Sequence, residues 1–137
     1  MLTPTTTELA TCSVALSGGS LADVLAVGAC LELCERLGQL QRQGEGDACV
    51  GAVAWLRGGY SRLEALRRAD TAELEAIPED ELRGGPVICI AEVVATAPGW
   101  AYNVVRKLKH LPGVEYWCGW RDRVRWAEGK VRRSSWA

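Results

Sequence analysis

The stretch from Pro86 to Pro112, PVICIAEVVATAPGWAYNVVRKLKHLP, constrains the fold of this chain more than any other. Residues 87–96 are almost all apolar or β-branched, which predicts a strand buried on both faces of a sheet. After a Pro-Gly break at 98–99, apolar residues recur at helical spacing until Pro112, which predicts an amphipathic helix. A buried strand that leads directly into a helix indicates an α/β domain organised around this pair.

Glu92 is the only charged residue of the predicted central strand. On a regular strand its side chain shares a face with three apolar residues, Ile88, Ile90 and Val94. A carboxylate in such surroundings is either desolvated or directed into a cleft. We therefore keep two interpretations, a general base with a raised pKa and a structural ion pair with an arginine such as Arg121 or Arg123.

The remaining patterns predict a helix, a hairpin, a helical crossover and two strands after the central helix. In chain order these are a helix from Ser20-x-x-Asp23 to Gly38, strands at 39–43 and 49–56, short helices at 61–69 and 71–76 that open with Ser61-x-x-Glu64 and Asp70-x-x-Glu73, and strands at 114–121 and 123–127. Glu128-Gly129 predicts a tight turn into residues 130–133. Residues 1–12 are predicted to be loose or a short edge strand.

The strand at 114–121 alternates, which predicts that four side chains share one face: Val114, Tyr116, Cys118 and Trp120. Three tryptophans are spaced as core residues of the helix and strands rather than as an exposed stacking platform: Trp100, Trp117 and Trp126.

Length and composition predict one domain, spanning residues 1–137, with a substantial core. No apolar run reaches the ~18 residues that a membrane span needs, and the first residues lack the basic region of a signal peptide. The six cysteines form no CxxC pair and the chain has one histidine, so we predict no metal site and buried, reduced thiols. These features together predict a soluble, cytoplasmic protein.

The small net charge conceals a strong asymmetry between the two parts of the chain. Residues 1–105 hold 7 Lys and Arg against 14 Asp and Glu, a net of −7, whereas residues 106–137 hold 9 against 3, a net of +6. A basic C-terminal third attracts phosphates, an acidic protein or nucleic acid, or it pairs with the acidic part of the same fold. The sequence leaves these four alternatives open.

Five stretches, in their order and spacing over residues 21–133, resemble the GNAT acyltransferase superfamily, and most closely its toxin-activating lysine acyltransferases, the hemolysin activators. They are LELCERLGQLQRQ, CVGAVAWL, PEDELRGG, VICIAEVVATAPG and DRVRWAEGKV. The resemblance implies a single-domain, GNAT-like mixed sheet with a strand-loop-helix-strand core. It also implies a homodimer that transfers an acyl group from acyl-acyl-carrier protein or acyl-CoA to an amine, above all a protein lysine.

The resemblance further suggests roles for residues of the central strand and helix. Glu92 matches the acidic residue that members of the toxin-activating branch carry on this strand, and we predict that it is the catalytic base. A backbone N–H of Val94 or Ala95 is predicted to bind the thioester carbonyl. Gly99 and Trp100 stand where other GNAT enzymes have a longer pyrophosphate loop, and this shortened loop fits a carrier-protein donor.

Tyr116 or Cys118 is predicted to protonate the departing thiolate. The toxin-activating branch also carries a histidine near its N-terminus, whereas this chain has Ser17-Gly18-Gly19-Ser20 in that region and a single histidine, His110, at the end of the central helix. Alternatives are therefore a GNAT-like binding or inhibitor protein without catalytic activity, a nucleic-acid-associated protein, and an acyltransferase that acts on a nucleic-acid amine.

Overall fold

A five-stranded mixed sheet forms the centre of the computed structural model, which describes residues 21–43, 51–95, 98–120 and 126–131. The elements in chain order are α1 (Leu21–Arg36), β1 (Leu40–Gln43), β2 (Gly51–Gly58), a 3₁₀ turn (Tyr60–Arg62), α2 (Leu63–Arg68), α3 (Thr71–Glu75), α4 (Glu79–Arg83), β3 (Val87–Ala95), α5 (Pro98–Lys109), β4 (Tyr116–Trp120) and β5 (Trp126–Lys130). The predicted α/β class and the mixed sheet are thereby confirmed.

The spatial order of the strands, β1-β2-β3-β4-β5, follows their order in the chain. The β1–β2, β2–β3 and β4–β5 pairs are antiparallel, and β3 and β4 are parallel. A parallel pair needs a long crossover between its strands, and α5 provides it. No helix in the described part of the chain is long and apolar enough to cross a membrane.

Two apolar clusters lie on the opposite faces of the sheet because β2 and β3 are buried on both sides. The α1-side cluster includes Leu31, Cys34, Leu66, Leu74 and Cys89. The α5-side cluster includes Ile88, Ile90, Val104, Leu108 and Trp117. The continuous apolar runs of the two central strands are thus explained by helices on both faces of the sheet.

The two capping patterns in the crossover have different outcomes. Asp70 begins α3 as predicted, since its Oδ1 accepts hydrogen bonds from the N–H groups of Ala72 at 3.0 Å and Glu73 at 3.5 Å. The cap predicted at Ser61 is wrong, because the chain enters a 3₁₀ turn at Tyr60, and neither that turn nor α2 has a side-chain cap. The pattern at residues 20–23 begins outside the described residues.

Glu128 and Gly129 lie within β5, so the turn predicted there is wrong. The Glu128 carboxylate accepts hydrogen bonds from Arg67 Nε at 2.9 Å and from Arg67 Nη2 at 2.8 Å. This two-bond contact attaches β5 to α2, and such a tertiary contact outweighs the weak turn preference of an isolated Glu-Gly pair.

The face predicted for the β4 region is correct for only two of its four residues. Tyr116 and Cys118 pack with the α1-side cluster, whereas Val114 and Trp120 pack with the α5-side cluster. Val114 precedes the strand, and Gly119 interrupts the alternation with a φ of +128°. Gly119 also permits a close approach, because a Cβ built on it would lie 2.3 Å from the carbonyl oxygen of Ile90.

Buried and half-buried polar side chains connect the loops to the sheet. The Gln39 amide nitrogen donates to the carbonyl of Trp55 at 3.0 Å and to that of Leu82 at 2.9 Å, which joins the start of β1 to α4. Arg57 donates to the carbonyls of Gly85 and Pro112, at 2.6 and 3.2 Å from Nη2. These bonds give partners to carbonyls at the ends of helices, in loops and in β2.

Replacing Gly119 with alanine is expected to destabilise the protein by about 2–4 kcal/mol, since the added Cβ is strained at this φ and collides with the β3 backbone. Urea denaturation measures the free energy of unfolding. Gly99→Ala is the matched control, because nothing lies within 4 Å of a Cβ built there. Equal effects of the two substitutions would contradict the close contact between Gly119 and Ile90.

The Arg67–Glu128 contact makes stability depend on pH in a defined direction. The hydrogen bonds from Arg67 lower the pKa of Glu128, so the contact stabilises the fold above the unfolded pKa and is lost as pH falls through the folded pKa. Glu128→Gln is therefore expected to unfold more easily than wild type near neutral pH, and the difference should disappear below about pH 3. Urea denaturation over this pH range tests the prediction, with the exposed Glu115→Gln as control. A pH-independent difference would contradict it.

Candidate active site

A β-bulge interrupts the central strand at Ala91. Ala54 of β2 lies opposite Glu92, but the next residue of β2, Trp55, lies opposite Ile90. Ala91 is therefore the extra residue that has no counterpart on β2. A bulge of this kind redirects the side chains that follow it, and the residue that follows here is the candidate catalytic carboxylate.

The bulge places Glu92 on the α1 side of the sheet. Its partner Ala54 belongs to the α1-side cluster, and residues opposite each other on neighbouring strands share a face. Ile88 and Ile90 belong to the α5-side cluster, so the predicted shared face with these two residues is wrong, although Val94 does lie on the α1 side. The prediction assumed regular alternation, which the extra residue reverses.

Two thiols of α1, Cys30 and Cys34, lie in the cluster that Glu92 faces. The pKa of Cys34 is raised well above its usual value by a hydrogen bond with Cys30, by burial, and by the nearby charge of Glu92. Both thiols are buried, whereas Glu92 is half-buried. Cys34 is therefore a protonated, poorly nucleophilic thiol. Of Cys30, Cys34 and Glu92, the Glu92 carboxylate is the group suited to accept a proton.

The parallel pairing of β3 with β4 ends close to the bulge. The paired residues run from Val87 opposite Tyr116 to Ile90 opposite Gly119, whereas β3 stays paired with β2 as far as Ala95. Within the described parts of the chain, β3 thus has strands on both sides up to Ile90 and only β2 beyond it. We name the β4-facing side of residues 91–95 the strand opening.

The orientation of the β3 backbone follows from one hydrogen bond of β2. The Trp55 N–H donates to the carbonyl of Gln39 at 3.1 Å, on the β1 side. In antiparallel sheets the N–H and C=O groups of successive residues point alternately to the two neighbouring strands. Ala54 and Ala52 therefore direct their backbone groups toward β3.

The same alternation assigns the backbone groups at the strand opening. Glu92 and Val94 lie opposite Ala54 and Ala52, so their N–H groups point to β2. The N–H groups of Val93 and Ala95 consequently point to the strand opening. Two N–H groups were predicted to bind a thioester carbonyl. That of Ala95 points to the strand opening, as this role requires, whereas that of Val94 points to β2. Val93 is a further donor at the opening, which the sequence did not reveal.

The start of α5 follows the strand opening after two residues. Its first turn contains no acidic residue, and its basic residues lie at the other end, at Arg106, Lys107 and Lys109. Gly99 is exposed with open space around it, and Trp100 is half-buried against the α5-side cluster. The first N–H groups of a helix have no intrahelical acceptor, so this end of α5 suits an anion.

Tyr116 lies at the far end of the β3–β4 pair from Glu92. It is opposite Val87, five residues before Glu92, which corresponds to about 16 Å along the strand. Its ring packs edge-to-face on Tyr60, with a centroid distance of 6.3 Å. The structure therefore does not bring Tyr116 together with Glu92.

Cys118, the alternative proton donor, is buried opposite Cys89 in the α1-side cluster. Its pKa is lowered, first by a hydrogen bond with Cys89 and also by the charge of Arg67. Cys89 precedes Glu92 by three residues, or about 10 Å along the strand. Cys118 is thus also distant from the strand opening.

Two of the three tryptophans predicted as core residues pack with the α5-side cluster. Trp117 is buried and lies beneath Lys109, whose Nζ is 3.4 Å from the ring centroid, and Trp100 is half-buried. The prediction is wrong for Trp126, since 38% of it is exposed and it packs edge-to-face on Trp120. The described surface therefore contains one exposed tryptophan rather than a row of stacked rings.

Several sequence predictions concern residues outside the described ranges. These residues are Arg121, Arg123, two of the six cysteines, Cys12 and Cys49, and the segment 17–20.

Among the described residues, no three His, Cys, Asp or Glu side chains form a group that could hold a metal ion. The chain matches no protein-family model, no curated protein and no solved structure.

The position of Glu92 predicts a measurable effect on Cys34. Glu92→Gln is expected to lower the pKa of Cys34, because it removes a negative charge that disfavours the thiolate. The ¹³Cβ chemical shift of labelled cysteine, followed through an alkaline titration, reports this pKa. Glu128→Gln is the control, since its charge acts on Cys118. An unchanged pKa of Cys34 in Glu92→Gln would contradict the placement of Glu92 on the α1 side.

Proposed function

We propose that the protein is an N-acyltransferase that moves an acyl group from a thioester donor to an amine. The observation that carries this proposal is that the bulge at Ala91 directly follows the last β3–β4 pair in the described part of the chain. A carboxylate and backbone donors that point away from β2 therefore lie on adjacent residues of one buried strand. A GNAT-like arrangement of this mixed sheet is part of the same proposal.

The thioester carbonyl is proposed to bind in the strand opening. There its oxygen accepts a hydrogen bond from the N–H of Val93 or Ala95, the two groups that point away from β2. These donors are held by the sheet and need no rearrangement as negative charge develops on the oxygen. Fixed donors of this kind are typically worth about 10²–10³ in kcat.

The acceptor amine is proposed to approach from the α1 side, where Glu92 lies. Glu92 accepts a proton from the amine while the nitrogen attacks the carbonyl carbon. The carbon–sulfur bond then breaks, an amide forms, and the proton held by Glu92 becomes available to the departing thiolate. The thiolate therefore needs no proton from Tyr116 or Cys118. These residues of β4 lie opposite Val87 and Cys89 of β3, five and three residues before Glu92.

The rest of the donor is proposed to run from the strand opening to the start of α5. The first-turn N–H groups of α5, which follow Pro98, suit the phosphate of a phosphopantetheine arm, whether it belongs to CoA or to an acyl-carrier protein. Arg106 and Lys107 are exposed on the same helix and suit an acidic carrier protein. A protein lysine is the proposed acceptor because the resemblance is strongest to lysine acyltransferases.

The test is an acyl-transfer assay with acetyl-CoA, longer acyl-CoAs and acyl-acyl-carrier protein as donors and a lysine peptide library as acceptor. Loss of the acyl group from the donor and gain of its mass on the acceptor are both followed by mass spectrometry. Glu92→Gln is expected to lower kcat by about 10²–10⁴-fold, as for the loss of a general base, with little change in the donor KM. Glu115→Gln, which removes an exposed carboxylate outside the opening, is expected to behave as wild type.

Two results would overturn parts of the proposal. Full activity of Glu92→Gln would exclude Glu92 as the base while leaving acyl transfer in place. Donor binding, detected as a rise in melting temperature, without turnover by wild type on any amine would instead identify a thioester-binding protein without catalytic activity.

A further inference from the structure

The last described residue of β4, Trp120, has a half-buried indole that the proposed chemistry does not use. It follows Gly119, which lies opposite Ile90, so the backbone of Trp120 is level with Ala91 at the start of the strand opening. Its side chain packs against the α5-side cluster. The indole therefore lies beside the opening, on the face of the sheet opposite to Glu92.

A second half-buried indole, that of Trp100, belongs to the start of α5. Trp100 is in the first turn of the helix, which begins soon after the strand opening ends at Ala95. Its side chain packs against the same cluster as that of Trp120, and Val93 of the strand opening also belongs to this cluster. The α5 side of the opening thus has an apolar lining to which β3, β4 and α5 all contribute.

Trp126 supports Trp120 from the neighbouring strand. The two residues lie opposite each other in β5 and β4, and their rings pack edge-to-face with centroids 5.6 Å apart. Such a contact fixes the orientation of a ring that the core covers only in part. It also gives a use to Trp126, a large apolar side chain at the protein surface.

We propose that Trp100 and Trp120 bind the pantetheine arm of the thioester donor on the α5 side of the strand opening, and that Trp126 positions Trp120 for this contact. The inference rests on the proposed acyl transfer, to which it adds the residues that hold the donor between its thioester and its phosphate. CoA and acyl-carrier proteins share phosphopantetheine, so the same contacts serve both donors.

The path of the arm follows from its two ends. The thioester carbonyl is proposed to bind the N–H of Val93 or Ala95, and the phosphate to bind the first turn of α5. Because α5 covers the face of the sheet opposite to Glu92, an arm that joins these two points leaves the opening on the α5 side. It passes the uncovered parts of both indoles, while the amine reaches the carbonyl from the α1 side.

The chemistry of an indole matches that of the arm. The arm alternates amide groups with methylene and methyl groups, and an indole offers a broad apolar surface together with one N–H donor. These contacts lie away from the carbonyl carbon, so they are equally strong in the ground state and in the transition state. They are therefore expected to lower the donor KM and to leave kcat unchanged.

The first test is donor kinetics in the acyl-transfer assay, with an acyl-CoA and the matching acyl-acyl-carrier protein. Trp120→Leu and Trp100→Leu are each expected to raise the donor KM about tenfold and to change kcat by less than about twofold. Trp55→Leu is the matched control, because Trp55 is a half-buried tryptophan of the same cluster that lies on β2, away from the opening. An effect with one donor only would support the contact and identify that donor as the one the site serves.

Two further comparisons separate contact with the arm from a general loss of structure. The acyl thioester of N-acetylcysteamine lacks most of the arm, so Trp120→Leu and wild type are expected to use it with equal kcat/KM. Trp126→Leu is expected to raise the donor KM, and Trp126→Phe, which keeps an aromatic ring against Trp120, to restore it. Circular dichroism confirms that each variant is folded. An equal loss of kcat/KM by Trp120→Leu with the full and the truncated donor would contradict the proposed contact.

A binding measurement that needs no turnover is ¹⁹F NMR of the protein labelled with fluorotryptophan and titrated with phosphopantetheine. The signals of Trp100 and Trp120, assigned from the variants, are expected to move, whereas that of Trp55 stays in place. Movement without turnover of any donor would leave the arm site standing and overturn the proposed acyl transfer. Turnover by wild type together with a donor KM unchanged in Trp120→Leu and Trp100→Leu, or with an unmoved Trp120 signal at millimolar phosphopantetheine, would overturn the arm site and leave acyl transfer in place.

Discussion

The pairing of β3 on both of its edges is the interaction on which the rest of the structure depends. Its first residues, Val87–Ile90, are bonded to β2 on one side and to β4 on the other, and both faces are covered by helices. The second part of the strand keeps β2 alone within the described residues. One strand thus combines a first part that is paired on both edges with a second part that, in the described part of the chain, is paired with β2, and the first part holds the second in place.

A close contact at Gly119 marks the last described pair of β3 and β4. A side chain at this position would collide with the Ile90 backbone, so the two strands need a glycine there. The extra residue Ala91 follows immediately on β3 and changes the direction of that strand. The close contact and the bulge are therefore adjacent features, and together they generate the strand opening beside Glu92.

The sequence predicted the central strand and helix because their patterns depend on burial alone. The apolar run that begins at Val87 and the apolar stripe of the helix after Pro98 indicate burial, whichever elements of the fold they pack against. The bulge at Ala91 was not predictable in the same way, because it is a property of the register with β2 and no glycine at 91–92 marks a bulge. The side of the sheet that Glu92 faces, and the identity of Val93 as a donor, both follow from that register.

The errors at the C-terminal end have a related origin. Glu128-Gly129 resembles a turn when it is read locally, but in the fold the Glu128 carboxylate is bonded to Arg67, sixty-one residues earlier in the chain. The alternation of the β4 region likewise fails at Gly119, whose positive φ follows from contact with β3. In both cases a contact between distant segments outweighs the local preference, and no single-sequence pattern contains that contact.

β4 pairs with the part of β3 that directly precedes the strand opening, so the firmness of β4 affects how well the opening is defined. The strand has only five residues, yet it is bonded to β3 and to β5, and its Trp117 packs beneath Lys109 at the end of α5. The Arg67–Glu128 contact attaches its neighbour β5 to α2 on the other face. Since β5 pairs with β4 along its length, the Arg67–Glu128 contact that fixes β5 also helps to fix β4 beside the strand opening.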